Sequence, residues 1–309
     1  MEQKQNWPRA LQKGDLIGIA APARKVKEKE LEAARELLHS WGFDTVLASN
    51  VGKSWGQLAG TDHARAEGMN GLLREERVKA ILTARGGYGS IRMVSNVNWE
   101  LFQKRPVWFC GFSDVTVLHS KINQMNLPSL HGPVATTLLT SSREAQNSFL
   151  NALTNESISL EFPATVVREG QWEGKILGGN LSMLYSLNST PLFPKLSGET
   201  LLIEDLDEML YHVDRMMMNF EHSGLWKTIG GLLVGGLSEM RDNTPEFGFV
   251  TDNPFGRETD EILLDAIKNY DFPVVKDLPS GHIKDNRTIV LGASAQFRAE
   301  DGLLKVLYV

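Results

Sequence analysis

The chain has 309 residues, of which 42% are apolar, and 32 basic against 38 acidic side chains give a net charge of −6. That length supports two domains with ample cores. The absence of any basic block or basic–aromatic stripe speaks against nucleic acid, and no apolar run approaches the length of a membrane span. The opening residues, Met1 to Pro8, lack the apolar centre of a signal peptide. The single cysteine, Cys110, excludes an internal disulfide framework and fits a reducing compartment, so a cytoplasmic protein is expected.

Taken in chain order, Leu16–Ala20 predicts a first strand. Leu31, Ala34, Leu38 and Trp41 then mark one face of a helix that Gly42 stops. Phe43–Ala48 predicts a second strand, and Thr61 caps a helix running toward Leu73. Val78–Ala84 and Val107–Phe112 predict a third and a fourth strand. Short apolar strands separated by helices argue for α/β architecture, with a parallel sheet covered on both faces. In such sheets ligands bind at the carboxyl ends of the strands, where Arg85-Gly86-Gly87-Tyr88-Gly89 and Ser113 both fall. Residues 1–150 thus read as one α/β domain. Residues 151–173, polar and without helical period, read as a linker, and 174–309 as a second domain. Strands are expected there at Leu201–Ile203, Gly231–Leu237, Ile289–Phe297 and Leu303–Tyr308, the last two joined by a turn at Glu300-Asp301-Gly302. Val213, Met216, Met217 and Phe220 at helical spacing read as a buried face, not a ligand site.

Three constellations carry chemistry. In Gly111-Phe112-Ser113-Asp114-Val115 a serine follows a buried strand and opens a helix. A serine on such a bend is exposed as a nucleophile, and the next amide points at the same place. The match to G-x-S-x-G is partial because Val115 replaces the last glycine, and Ser113 could instead cap the helix. Cys110 is a rival nucleophile, but its apolar strand argues for an inert thiol. A serine needs a base and the base an orienting acid. His282, in the polar loop Ser280-Gly281-His282-Ile283, stands out as the base, with His131 a second loop candidate. His119 falls in the helix after Ser113, and His39, His63, His212 and His222 read as surface helix positions. Glu204 ends a buried strand and is a candidate acid, as are Asp205, Asp207 and Glu208. The glycines after Arg85 let backbone amides approach a ligand. Gly87 can supply an oxyanion amide beside that of Asp114, while Arg85 or Tyr88 grips the substrate; a phosphate loop and a plain turn are the alternatives. No His-Glu-x-x-His or cysteine pair suggests a metal.

The segments Gly14-Asp15, Ala21-Pro22-Ala23, Gly60-Thr61-Asp62, Arg85–Gly89, Gly111–Thr116, His131-Gly132-Pro133, Gly178–Leu181, Leu202–Asp205, Tyr211–Met216 and Gly281-His282 with Asn286 occur in one order. Together they resemble the LD-carboxypeptidase family of serine peptidases, which also contains the microcin C immunity peptidases. The resemblance implies a Ser-Glu-His triad at Ser113, Glu204 and His282, and so selects Glu204 among the acids. It implies an N-terminal three-layer α/β domain with a parallel sheet that carries the nucleophile, and a C-terminal β-rich swivelling domain that carries acid and base, with the site in the cleft between them. It further implies a cytoplasmic homodimer, no cofactor, and release of terminal D-alanine from murein tetrapeptide in peptidoglycan recycling. The alternatives are an immunity peptidase acting on an aminoacyl-nucleotide and a non-catalytic ligand-binding protein. Phe112 stands where the family usually has tyrosine, and Val290 where proline is common.

Overall fold

Two sheets organise the chain in the computed structural model, which describes residues 7–155 and 157–309. The contacts divide it into two units. The first takes the chain up to Ile158 together with Lys284–Ala293 and Tyr308, and the second takes the remainder.

In the first unit the elements run β1 (Leu16–Ala20), α1 (Glu32–Ser40), β2 (Asp44–Leu47), α2 (Asp62–Arg74), β3 (Val78–Thr83), α3 (Ser90–Met93), α4 (Trp99–Lys104) and β4 (Trp108–Gly111). They continue with α5 (Thr116–Gln124), β5 (Ser129–His131), α6 (Ala135–Leu138) and α7 (Arg143–Thr154). Strands β1 to β5 pair in parallel, which follows from their separation by helices. Every residue of β1, β4 and β5 is buried, as strands covered on both faces require. Helix α1 buries Ala34 and Leu38, and the Thr61 hydroxyl accepts the Ala64 amide at 3.2 Å to start α2.

The second unit begins where a linker is expected. Residues 151–173 hold the end of α7, the strands β6 (Ser159–Pro163) and β7 (Thr165–Arg168), and the start of β8 (Gly170–Asn180). Both β6 and β7 are edge strands with mostly exposed or half-buried residues, which is why their sequence lacks an apolar strand signal. Next come α8 (Leu181–Leu187), β9 (Thr200–Leu206), α9 (Leu210–His222), β10 (Gly231–Ser238), α10 (Thr259–Ala266) and β11 (Val274–Lys276). Strands β8, β9, β10 and β11 are parallel neighbours at the centre of an eight-stranded mixed sheet. Helix α9 packs Val213, Met216, Met217 and Phe220 into a core with Trp226 and Leu232.

The single strand expected at Ile289–Phe297 is two. β12 (Ile289–Leu291) pairs antiparallel with β5 and completes the six-stranded sheet of the first unit. After the break at Gly292-Ala293, β13 (Ser294–Glu300) pairs with β8 in the second. Asp301 and Gly302, both at positive φ, then turn the chain into β14 (Leu303–Tyr308), as hairpin geometry demands. Among the described residues no helix is long and apolar enough to cross a membrane.

Candidate active site

The carboxyl ends of β3 and β4 are neighbours in the first sheet, with Leu82 paired to Cys110. Beyond β4, Ser113 opens a 3-10 turn that leads into α5, and its φ of 70° is one a non-glycine residue rarely adopts. Such strain at a strand end is typical of a functional position. Ser113 is no N-cap: neither the 3-10 turn nor α5 has a side-chain cap, while the Thr116 hydroxyl donates to the Ser113 carbonyl at 2.7 Å. The Asp114 amide lies in the first turn, among the donors a helix cannot itself satisfy.

The loop after β3 lies against this turn. A Cβ on Gly86 would stand 2.8 Å from Ser113 Cβ and 3.0 Å from its Oγ, so only glycine lets the loop approach so closely. The buried Asp114 carboxylate accepts the Gly89 amide at 3.2 Å and the Ser90 amide at 2.8 Å, which ties the loop to the serine turn. Burial raises the Asp114 pKa despite those hydrogen bonds and the Arg65 charge. Arg85 is half-buried with Glu30 at 3.8 Å, and Tyr88 is exposed.

Arg65 is a contributor the sequence analysis missed. Fully buried on α2, it donates to the carbonyls of Pro22, of Gly89 at 2.7 Å and of Gly60 at 3.3 Å, and pairs with Asp62. The available signal was a cation on the helix face otherwise formed by Ala66, Met69, Leu72 and Leu73. Cys110 is buried and its thiol pKa is pushed far up, so it is no nucleophile. His119 is buried between Ser129 Oγ and the Gly111 carbonyl, each at 2.9 Å. Burial, with the neighbouring His131, lowers its pKa to about 3, so it is a neutral bridge beneath the turn. His131 is itself buried, in β5, 6.0 Å from the Phe112 ring between centroids.

In the second unit the strand alternation separates the acids. Glu204 of β9 is wholly buried, and its Oε2 lies 2.7 Å from Nδ1 of His282. Asp205 faces the other way, accepting from Asn180 Nδ2 at 2.7 Å and the Ser182 amide at 2.8 Å. Burial, then the Glu204 charge, raises its pKa to about 6. Asp207 pairs with Arg241, and Glu208 with His212, which is half-buried and not a simple surface histidine. The His282 loop is fastened to β10 by hydrogen bonds from the Gly236 amide to the Ser280 carbonyl and from Ser238 Oγ to the His282 carbonyl, each 2.9 Å. Gly281 has a φ of 103°, and a Cβ there would come within 2.6 Å of Glu204 Oε2. A carboxylate only accepts, so His282 donates through Nδ1 and presents the lone pair of Nε2. Burial disfavours the imidazolium, but the hydrogen bond and charge of Glu204, with Asp205 and Glu239, outweigh it and raise the His282 pKa.

Ser113, Asp114, Arg85, Gly87 and Tyr88 thus belong to the first unit, and Glu204 with His282 to the second. Among the described residues no group of three or more His, Cys, Asp or Glu side chains could hold a metal ion. A strained serine at a strand end and a buried Glu–His pair are parts from which serine hydrolases are built.

Comparisons with known proteins narrow that class to a family. Residues 17–132 match the LD-carboxypeptidase N-terminal domain, and residues 173–297 the LD-carboxypeptidase C-terminal domain. The chain is 32% identical over 305 residues to the "Probable murein peptide carboxypeptidase" of Bacillus subtilis, covering 93% of this chain and 90% of that one. It is 29% identical to the murein tetrapeptide carboxypeptidase of Pseudomonas aeruginosa over 292 residues, 90% of this chain and 92% of that one. The chain therefore belongs to the LD-carboxypeptidase family. The crystal structure of muramoyltetrapeptide carboxypeptidase from Oxalobacter formigenes superimposes with a TM-score of 0.84 at 27% identity, over 95% of this chain and 98% of that one. The microcin C7 self immunity protein has the same fold, with a TM-score of 0.84 at 18% identity over 96% and 97% of the two chains.

Proposed function

We propose that this protein is a serine LD-carboxypeptidase that hydrolyses the amide between the L-centre of a diamino acid and the terminal D-alanine of murein tetrapeptide. The observation that carries this reading is the buried Glu204–His282 hydrogen bond of 2.7 Å, which fixes the imidazole ring through Nδ1. The names of the relatives supply the substrate, while likeness to the immunity protein at 18% identity speaks for the fold alone.

In this mechanism Ser113 Oγ attacks the scissile carbonyl carbon as His282 Nε2 takes its proton. The amides of Gly87 and Asp114 hold the oxyanion. The tetrahedral intermediate collapses with cleavage of the C–N bond, and the imidazolium gives its proton to the departing D-alanine amine. Glu204 holds the ring and stabilises its cation throughout. Water, deprotonated by His282, then attacks the acyl ester, and Ser113 recovers its proton as the tripeptide leaves. Arg85, a fork-shaped donor suited to a carboxylate, and Tyr88 bind the substrate. The enzyme works in the cytoplasm as a homodimer in peptidoglycan recycling.

The test is D-alanine release from L-Ala-D-Glu-meso-diaminopimelate-D-Ala, set against the same peptide ending in L-alanine. Release from the first alone is expected. Release from neither, or from both equally, contradicts the reading.

A further inference from the structure

The loops after β1, β2 and β3 line an open cleft of about 730 Å³ in the first unit. Its lining carries six cations, Arg24, Lys25, Lys27, Lys29, Lys53 and Arg85, against one carboxylate, Glu30. In a chain with a net charge of −6, this is a local reversal of sign. A concavity with low-dielectric walls focuses such a field and raises the local concentration of anions. Internal compensation is slight. Arg85 stands 3.8 Å from Glu30, and Lys25 Nζ donates to the Gly56 carbonyl at 3.0 Å. Among the described residues no carboxylate forms an ion pair with the side chain of Arg24, Lys27, Lys29 or Lys53, the Glu30 carboxylate accepting from Lys27 only the backbone amide at 2.7 Å.

The position is as telling as the charge. Strand β1 lies between β2 and β3, so the chain leaves it first to one side and then to the other. In parallel sheets ligands bind in the crevice outside the carboxyl ends of the strands at such a reversal. The walls are preformed: the Lys25 amide donates to Gln57 O at 2.9 Å and the Gly52 amide to Val26 O at 3.1 Å. They are continuous with the glycine loop beside Ser113. The Arg24 amide donates to the Gly86 carbonyl at 3.4 Å, and a Cβ on Gly87 would lie 3.1 Å from Arg24 Cβ.

We propose that this cavity is an anion subsite for the acidic arm of the substrate, the carboxylate-bearing stretch on the acyl side of the scissile amide. One terminal carboxylate is satisfied by one guanidinium, whereas six cations answer a group with several anionic oxygens. The assignment rests on the peptidase reading only for the identity of that group. Carboxylate and phosphate share the chemistry, and displacement separates the two sources.

The experiment is titration calorimetry on full-length Ser113→Ala protein, with inorganic pyrophosphate as the probe. Pyrophosphate is expected to bind, less tightly as ionic strength rises. Adding K27E and K53E, both at exposed positions, weakens it about tenfold or more, since two charge-assisted contacts are lost. K53A alone gives a smaller loss in the same direction. The tetrapeptide L-Ala-D-Glu-meso-diaminopimelate-D-Ala displaces pyrophosphate, while an analogue with D-Gln and Lys at the two acidic positions does not. Absence of pyrophosphate binding, or equal binding in the charge-reversed variant, overturns the subsite. Binding that the tetrapeptide fails to displace assigns the cavity to a separate phosphate ligand and overturns it equally. None of these readouts needs turnover, so failure of D-alanine release would count against the peptidase reading alone.

Discussion

Glu204 Oε2 stands 2.7 Å from His282 Nδ1 at a place where the carboxylate is wholly buried and the imidazole only partly so. An acid shielded from water orients a base that still reaches solvent, and each partner's ionisation depends on the other. Burial opposes the imidazolium, yet Glu204 and its acidic neighbours raise the His282 pKa above the ordinary 6.5.

The pH dependence follows with a definite sign. In the proposed mechanism His282 must be neutral to act as base, so kcat/KM is expected to fall as pH drops through the folded-state value, with that acid limb above pH 6.5. In Glu204→Gln the burial remains and the charge is gone, so the limb moves down. The wrong tautomer also costs on the order of 10³–10⁴-fold in kcat. Stability gives a second check. A raised histidine pKa contributes stability that is complete below the unfolded value of about 6.5 and lost as pH rises through the folded value. The stability advantage of wild type over Glu204→Gln therefore shrinks as pH rises above about 6.5 and through the raised folded-state value. An unmoved limb would count against the pair as base and orienting acid.

Gly86→Ala separates folding from catalysis. The φ of Gly86 is not in the left-handed region, but the new methyl would meet Ser113 Cβ at 2.8 Å. The protein is expected to fold with a Tm close to wild type and to lose about 100-fold in kcat, the cost of misplacing a reacting group by an ångström. Full activity in this variant would mean that the loop does not set the position of the serine.

Arg65→Met probes the support of that loop. The substitution removes the Arg65 donor from the Pro22 and Gly60 carbonyls, leaves the Gly89 carbonyl with the Arg92 amide alone, and takes from Asp62 one of its partners. Breaking a buried ionic network of this kind costs about 3–5 kcal/mol, read as a lower urea midpoint at constant slope. A midpoint within error of wild type would contradict the role.

Asp205 provides a stability test independent of the histidine. Its folded pKa of about 6 exceeds the model-peptide value of 3.8, so the folded state holds its proton more tightly than the unfolded chain. The sign is opposite to that of a salt-bridged aspartate: this stability is present below about pH 4 and lost as pH rises to about 6 and beyond. Asp205→Asn removes the loss, so variant and wild type differ in the slope of stability against pH across that window. Parallel slopes would exclude a raised Asp205.

Much of the first unit was legible in its sequence because strands buried on both faces are continuous apolar runs, as at Leu16–Ala20 and Trp108–Gly111. The turn at Ser113 was legible for the same reason, since a polar residue breaks such a run where the sheet ends. The edge strands β6 and β7 were not, because exposed strands carry the polar composition of a loop. Nor could the run from Ile289 to Phe297 show that its two halves join different sheets, which long-range pairing alone decides. Residue identity left four acids open after Ile203; the pleat separates the two within β9, turning Glu204 to His282 and Asp205 to Asn180, while Asp207 and Glu208 beyond it pair with Arg241 and His212. The basic cavity was invisible for a related reason: its cations, spread from Arg24 to Arg85, form no single block until three loops converge.

The central claim is that Ser113 and His282 act together on a peptide amide. The most direct measurement is mass spectrometry of L-Ala-D-Glu-meso-diaminopimelate-D-Ala after incubation with wild type, Ser113→Ala and His282→Ala. Loss of one alanine with wild type, and with neither variant beyond about one part in 10³, is the predicted result. Alanine loss with Ser113→Ala at the wild-type rate would contradict it.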